Sequence, residues 1–215
     1  MTRGSESQLI TLTPERPQGA VLPSAWAAFT EQVRFGAWHV LSGTDHLLFL
    51  LVVLAAAWSL RQVVLALTCF TAGHAVTLGA CAWYGLSVPS GVVEPAIAAT
   101  IVAMALFDRW SAQRSLPKPA AIRLTLVFAC ALIHGLGLAG ALGDLGLGGM
   151  GRAWSLAGFN TGIELGQIAV ALAAALVLRG VWHMSGPGGL TKTTRSASYA
   201  SMALGSFWFF QRILG

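Results

Sequence analysis

Charge is scarce in this chain. Only 10% of its 215 residues are Asp, Glu, Lys or Arg, while 55% are hydrophobic. Soluble domains carry roughly 25% charged residues, so an ordinary soluble domain of this length is excluded. Cysteine is scarce as well. Cys69, Cys81 and Cys130 lie in apolar runs and form no CxxC pair. That excludes a disulfide scaffold and a thiolate metal site, and leaves them as small buried apolar residues. No P-loop motif is present, so transport driven by ATP bound to this chain is not expected. The net charge of +5 does not point to nucleic acid, because in so apolar a chain basic residues collect in the loops on one side of a membrane.

What is present is a series of long apolar runs. A helix needs ~20 such residues to cross the ~30 Å hydrocarbon layer. The expected spans are 38–59, 62–83, 91–107, 121–142, 154–178 and 197–214. The expected fold is an all-α polytopic membrane bundle of six helices, a single domain over 24–215. Residues 1–23, with Pro14, Pro17 and Pro23, read as a polar, disordered tail without the apolar core of a signal peptide. Ser24 can cap a short interfacial helix to about Gly36, with Trp26, Phe29 and Val33 on one side. Glycine, proline, serine and threonine fill the links at 143–153 and 183–195.

Lysine and arginine set the expected orientation. Arg61, Arg109, Arg114, Lys118, Arg123, Arg179, Lys192 and Arg195 fall in the 1–2, 3–4 and 5–6 links or at their edges, against Arg152 alone in the other two. The positive-inside rule puts the first set in the cytoplasm and both termini outside, in a multi-pass protein of the inner (plasma) membrane.

Into these runs the chain sets polar residues. The first expected span carries His39, Asp45 and His46, the second His74, the third Glu94, the fourth His134, and the fifth Asn160, Glu164 and Gln167. A carboxylate at mid-bilayer costs roughly 2.5–3.5 kcal/mol on insertion scales, so each should face protein or water and have a partner. With a rise of 1.5 Å per residue, His46, His74, His134, Asn160 and Glu164 lie ~9–15 Å from one membrane face, and Glu94 ~5 Å. Helices of alternating direction thus bring polar groups to one layer. Gly158, Gly162 and Gly166, at four-residue spacing, let a neighbouring helix close on it.

Imidazole nitrogens with carboxylate oxygens are the donor set for zinc, nickel, cobalt or iron. On an unbroken helix His39 and His46 stand two turns, ~10.5 Å, apart. The expected central set is therefore Asp45, His46, His74 and His134, with Glu164 as ligand or support and His39 as an entry ligand at the rim. Glu94, Asn160 and Gln167 are supporting residues. His183 reads as a solvated bystander, and Asp108 as a loop residue without a role.

His39 with Asp45-His46-Leu47-Leu48-Phe49-Leu50, then Gly73-His74-Ala75-Val76-Thr77-Leu78, Val93-Glu94, Ile133-His134-Gly135-Leu136-Gly137, and Phe159-Asn160 with Glu164-Leu165-Gly166-Gln167 follow one another in order. Together they resemble the HupE/UreJ hydrogenase/urease accessory membrane proteins, over about 35–178. The resemblance implies a small permease or facilitator for nickel, with cobalt second, in which His39, Asp45 and His46 matter for transport. Where the family commonly has Ala-His-Ser, this chain has Gly73-His74-Ala75. Two alternatives stay open: a membrane-embedded zinc hydrolase with Glu164 or Glu94 as general base, and an accessory subunit of a larger membrane complex. The expected partners are membrane lipid and either further copies of the chain or such a complex.

Overall fold

The computed structural model describes residues 25–56, 59–114, 117–138 and 149–214, and all of its elements there are helices. In chain order they are α1 (Ala25–Ser42), α2 (Thr44–Ala55), α3 (Leu60–Tyr84), α4 (Ser90–Ser111), α5 (Pro119–Leu136) and α6 (Gly149–Leu214). The tail expected at 1–23 lies outside the described residues, as does most of the glycine-rich link around 143–148.

Local chemistry sets several boundaries. Ser59 opens α3 with a capping box: its hydroxyl accepts from the Gln62 amide, and the Gln62 side chain accepts from the Ser59 amide. Gly85 closes α3 in the left-handed region at φ 65°, donating its N–H to the Cys81 carbonyl. Pro119 sits in the first turn of α5, where its missing N–H has no helical partner to lose.

The first expected span is not one helix. The chain leaves helical geometry at Gly43 (φ −76°, ψ 99°), and α1 and α2 meet there at a bend of 72°. The stretch read as an interfacial helix to Gly36 is the first part of α1, which runs on through His39 to Ser42. A count of apolar residues cannot detect this break, because both sides of it are apolar. Close packing of backbone on backbone holds α1 in its new direction. A Cβ on Gly158, Gly162 or Gly36 would run into the carbonyl of Phe29, Val33 or Phe159 respectively, so α1 and the first half of α6 lie against each other with nothing between.

The link expected at 183–195 is also helical, apart from a break at Gly186 (φ 63°, ψ −165°) ahead of Pro187. As one straight rod α6 would be ~99 Å long. Its contacts show instead that it folds back. Arg152 donates to the Ala82 carbonyl near the end of α3, and Arg212 donates to the Glu94 carbonyl near the start of α4. Those two places are joined by the short link 85–89, so both ends of α6 lie at one end of the bundle and the chain reverses between them. Its two halves are the fifth and sixth passages.

Four helices are long and apolar enough to cross a membrane, or five with the bent α1–α2 pair taken as one. Outward-facing Leu51, Val64, Val76, Leu106, Leu172 and Phe207 are exposed, as lipid-facing side chains are. The fold is an all-helical membrane bundle. Inside, Phe49, Phe70, Ile101, Met104 and Val127 form one apolar cluster, and Val40, Leu78, Phe159 and Ile163 form another. The histidines lie between the two.

Candidate metal centre

Four helices deliver four imidazoles to this layer. His39 is in the last turn of α1, His46 in the first turn of α2, His74 in the middle of α3 and His134 in the last turn of α5. The ring centroids of His39 and His46 are 4.6 Å apart, and those of His46 and His134 are 5.2 Å apart. His74 stands 6.1 Å from His39 and 6.2 Å from His46. One ligand nitrogen from each of His39, His46 and His74 lies within 4.8 Å of the other two. Nitrogens bound to one ion at ~2.0–2.1 Å are at most ~4.2 Å apart, so small ring movements bring all three onto a shared ion.

Five ring nitrogens of this cluster lack protein partners. His39 Nε2, His46 Nε2, both nitrogens of His74 and Nδ1 of His134 are buried without a hydrogen bond. Leaving such groups bare is costly, and a common reason for a structure to retain them is a ligand. The walls are aromatic: Phe159 packs on His39 and His74, Phe70 on His46, His74 and His134, and Phe49 on His134. A dry wall of this kind excludes competing water from the imidazoles.

His134 is oriented by a neighbour. Thr100 donates its hydroxyl proton to the Ile97 carbonyl at 2.6 Å and lies 2.9 Å from His134 Nε2. With its proton committed, the hydroxyl accepts from Nε2–H, which assigns the tautomer and leaves Nδ1 as a bare lone pair. His134 therefore stands beside the triad as a fourth ligand or a support.

The arrangement differs from the expected central set. The break at Gly43 brings His39, expected as a separate entry ligand, back beside His46, which a continuous helix forbids. Asp45 faces elsewhere, and its two carboxylate oxygens accept from the two terminal nitrogens of Arg212 at 3.1 and 3.0 Å. Glu94 is half-exposed and lies 3.8 Å from Arg212 Nε. Glu164 accepts from the Thr68 hydroxyl at 2.9 Å. Gln167 is fully buried, with its oxygen accepting from Thr71 at 3.4 Å and its nitrogen bare. Asn160 donates to the Leu156 carbonyl and keeps a bare buried oxygen. Among the described residues, the group within reach of one ion is His39, His46 and His74.

Sequence reasoning missed Thr100, Arg212 and the pair made by Arg123 and Asp108. From the sequence, Arg212 closes the aromatic belt Phe207-Trp208-Phe209-Phe210 as a basic membrane anchor, and Asp108 is a loop residue. The pair is buried, and Arg123 also donates to the Val53 carbonyl at 3.2 Å. A hydroxyl in the middle of apolar α4 is the one available signal for Thr100; nothing local marks the partners of the two arginines.

A family model described as HupE / UreJ protein matches residues 15–212. No curated protein and no solved structure matches the chain.

Proposed function

The chain belongs to the HupE/UreJ family, and from that premise we propose that it is a divalent-metal permease whose cargo is nickel, with cobalt as the second candidate. The observation that carries this reading is the triad of His39, His46 and His74 at a helix break, with one ring nitrogen of each mutually within 4.8 Å and at least one buried ring nitrogen of each bare of protein partners. Imidazole suits nickel, cobalt and zinc, and helices broken at mid-membrane are a recurrent way to build ion sites in transporters.

Each residue has a part. The ion sheds water and exchanges it for imidazole nitrogens, which bind as neutral rings. His39 rides on α1 and His46 on α2, so a change in the angle at Gly43 alters their separation and hence the hold on the ion. His74, on unbroken α3, is the fixed point. Asp45 and Glu94, gathered around Arg212, provide carboxylates near one end of the bundle for cations approaching the site.

The hydrolase alternative needs a carboxylate base at the ion. Glu164 is bound to Thr68 and Glu94 faces Arg212, which favours transport. The test is metal content and uptake with purified chain in liposomes. Wild type should hold close to one nickel or cobalt per chain and carry it across, and His74→Ala should lose both. Bound zinc together with amide or ester hydrolysis, and no uptake, would overturn the proposal.

A further inference from the structure

At the end of the bundle remote from Glu94 and Arg212, ~20 Å along α4, α2, the start of α3, α4, α5 and the second half of α6 surround a cavity of about 460 Å³. It is lined by three arginines, Arg109, Arg123 and Arg195, with hydroxyls that include Thr194 and Ser198. Its one carboxylate, Asp108, is taken by Arg123. Arg109 stacks on the Tyr199 ring at 4.6 Å, which holds its guanidinium in place and leaves its N–H groups available. Neither Arg109 nor Arg195 has a carboxylate partner among the described residues. The cavity thus presents two uncompensated guanidiniums, a pattern suited to a phosphate group.

A second cavity, of about 790 Å³, adjoins it and shares Ala55, Ala56, Thr191 and Thr194. Its walls are apolar, including Leu60, Val64, Leu172 and Trp182, all largely exposed. It runs between α3 and the first half of α6, with Arg179 at its lining. A cationic pocket opening directly into an aliphatic groove matches a ligand with an anionic head and apolar tails. A free phosphate would fill the pocket and leave the groove bare. A zwitterionic lipid would bring its own ammonium among the guanidiniums.

We propose that this pair of cavities is a binding site for an anionic phospholipid, its phosphate between Arg109 and Arg195 and its acyl chains along Val64, Leu172 and Trp182. The lipid would bridge the two halves of α6 on either side of Gly186 and brace them against α3 and α4. Basic pockets between membrane helices bind acidic headgroups in this way, on the side where basic loops collect.

The experiment is native mass spectrometry of the delipidated full chain titrated with phosphatidylglycerol, phosphatidylcholine or inorganic phosphate. Wild type should retain phosphatidylglycerol in preference to phosphatidylcholine. The Arg109→Gln/Arg195→Gln variant should bind phosphatidylglycerol ~10- to 30-fold more weakly, from about two lost surface charges, with phosphatidylcholine unchanged. Equal retention of the two lipids, or an unweakened variant, would overturn the site. Inorganic phosphate that binds as tightly and displaces the lipid would make the occupant a soluble anion and overturn the lipid assignment. Should the double variant fail to fold, the preference of wild type between the two lipids decides alone.

Discussion

The rings of His39 and His46 lie 4.6 Å apart, although they are seven residues apart in sequence and would sit two turns apart on a continuous helix. Gly43 makes this possible. A Cβ there would stand 2.6 Å from the His39 carbonyl oxygen and 2.8 Å from His46 Nδ1, closer than real side chains approach. Gly43→Ala should therefore force the two rings apart. The expected outcome is a loss of ~1–3 kcal/mol in stability from overpacking and a metal affinity at least ~10-fold weaker, measured by calorimetry on protein that still runs as a single species. Unchanged affinity would remove the break from the account of the site.

His74 and His134 should differ in their response. His74→Ala removes a triad nitrogen and should abolish stoichiometric binding. Thr100→Val removes the group that orients His134 and should weaken binding by ~10–100-fold if His134 joins the triad as a fourth ligand, whereas unchanged binding would leave His134 a support only. In wild type, binding should weaken as pH falls, because protons and the metal compete for the same nitrogens. Isothermal titration across pH, with proton release counted, checks all three. Binding that strengthens on acidification would exclude imidazole ligation.

Arg212 and Asp45 are joined by two hydrogen bonds across 167 positions of sequence. The pair is only about one-fifth exposed, so it should count for more than a surface ion pair. A double-mutant cycle with Asp45→Asn and Arg212→Gln is expected to return a coupling of ~1–3 kcal/mol in thermal unfolding. Additive single effects would mean that the pair is not held in solution.

Arg123 is 4% exposed and Asp108 13%. Removing one partner strands a buried charge, so Asp108→Ala should cost ~3–5 kcal/mol, while Arg123→Met with Asp108→Leu should come out close to neutral. Metal content should not change in the double variant, since the pair lies at the other end of α4 from Glu94. Loss of metal in a well-folded double variant would show that the two ends are coupled.

Much of this was readable from residue order. The apolar runs announced a membrane bundle because hydrocarbon tolerates only satisfied backbone, and helices satisfy it locally. The polar layer was visible because a fixed rise per residue converts position into depth. Gly158 and Gly162 announced a close helix contact by their spacing. The identity of the partners was not readable. The place of His39 beside His46 and the pairing of Asp45 with Arg212 depend on where distant parts of the chain put their side chains.

By itself, then, the sequence determined the class of the protein, the depth of its polar residues and the imidazole-rich character of that layer. These follow from hydropathy, helical rise and donor chemistry, all of which are local. Only the tertiary structure decided that the helix breaks at Gly43, that three histidines converge while Asp45 turns to Arg212, and that α6 folds back at Gly186. Those outcomes depend on close backbone packing and on ion pairs between remote segments, and neither depends on residue order within a single helix.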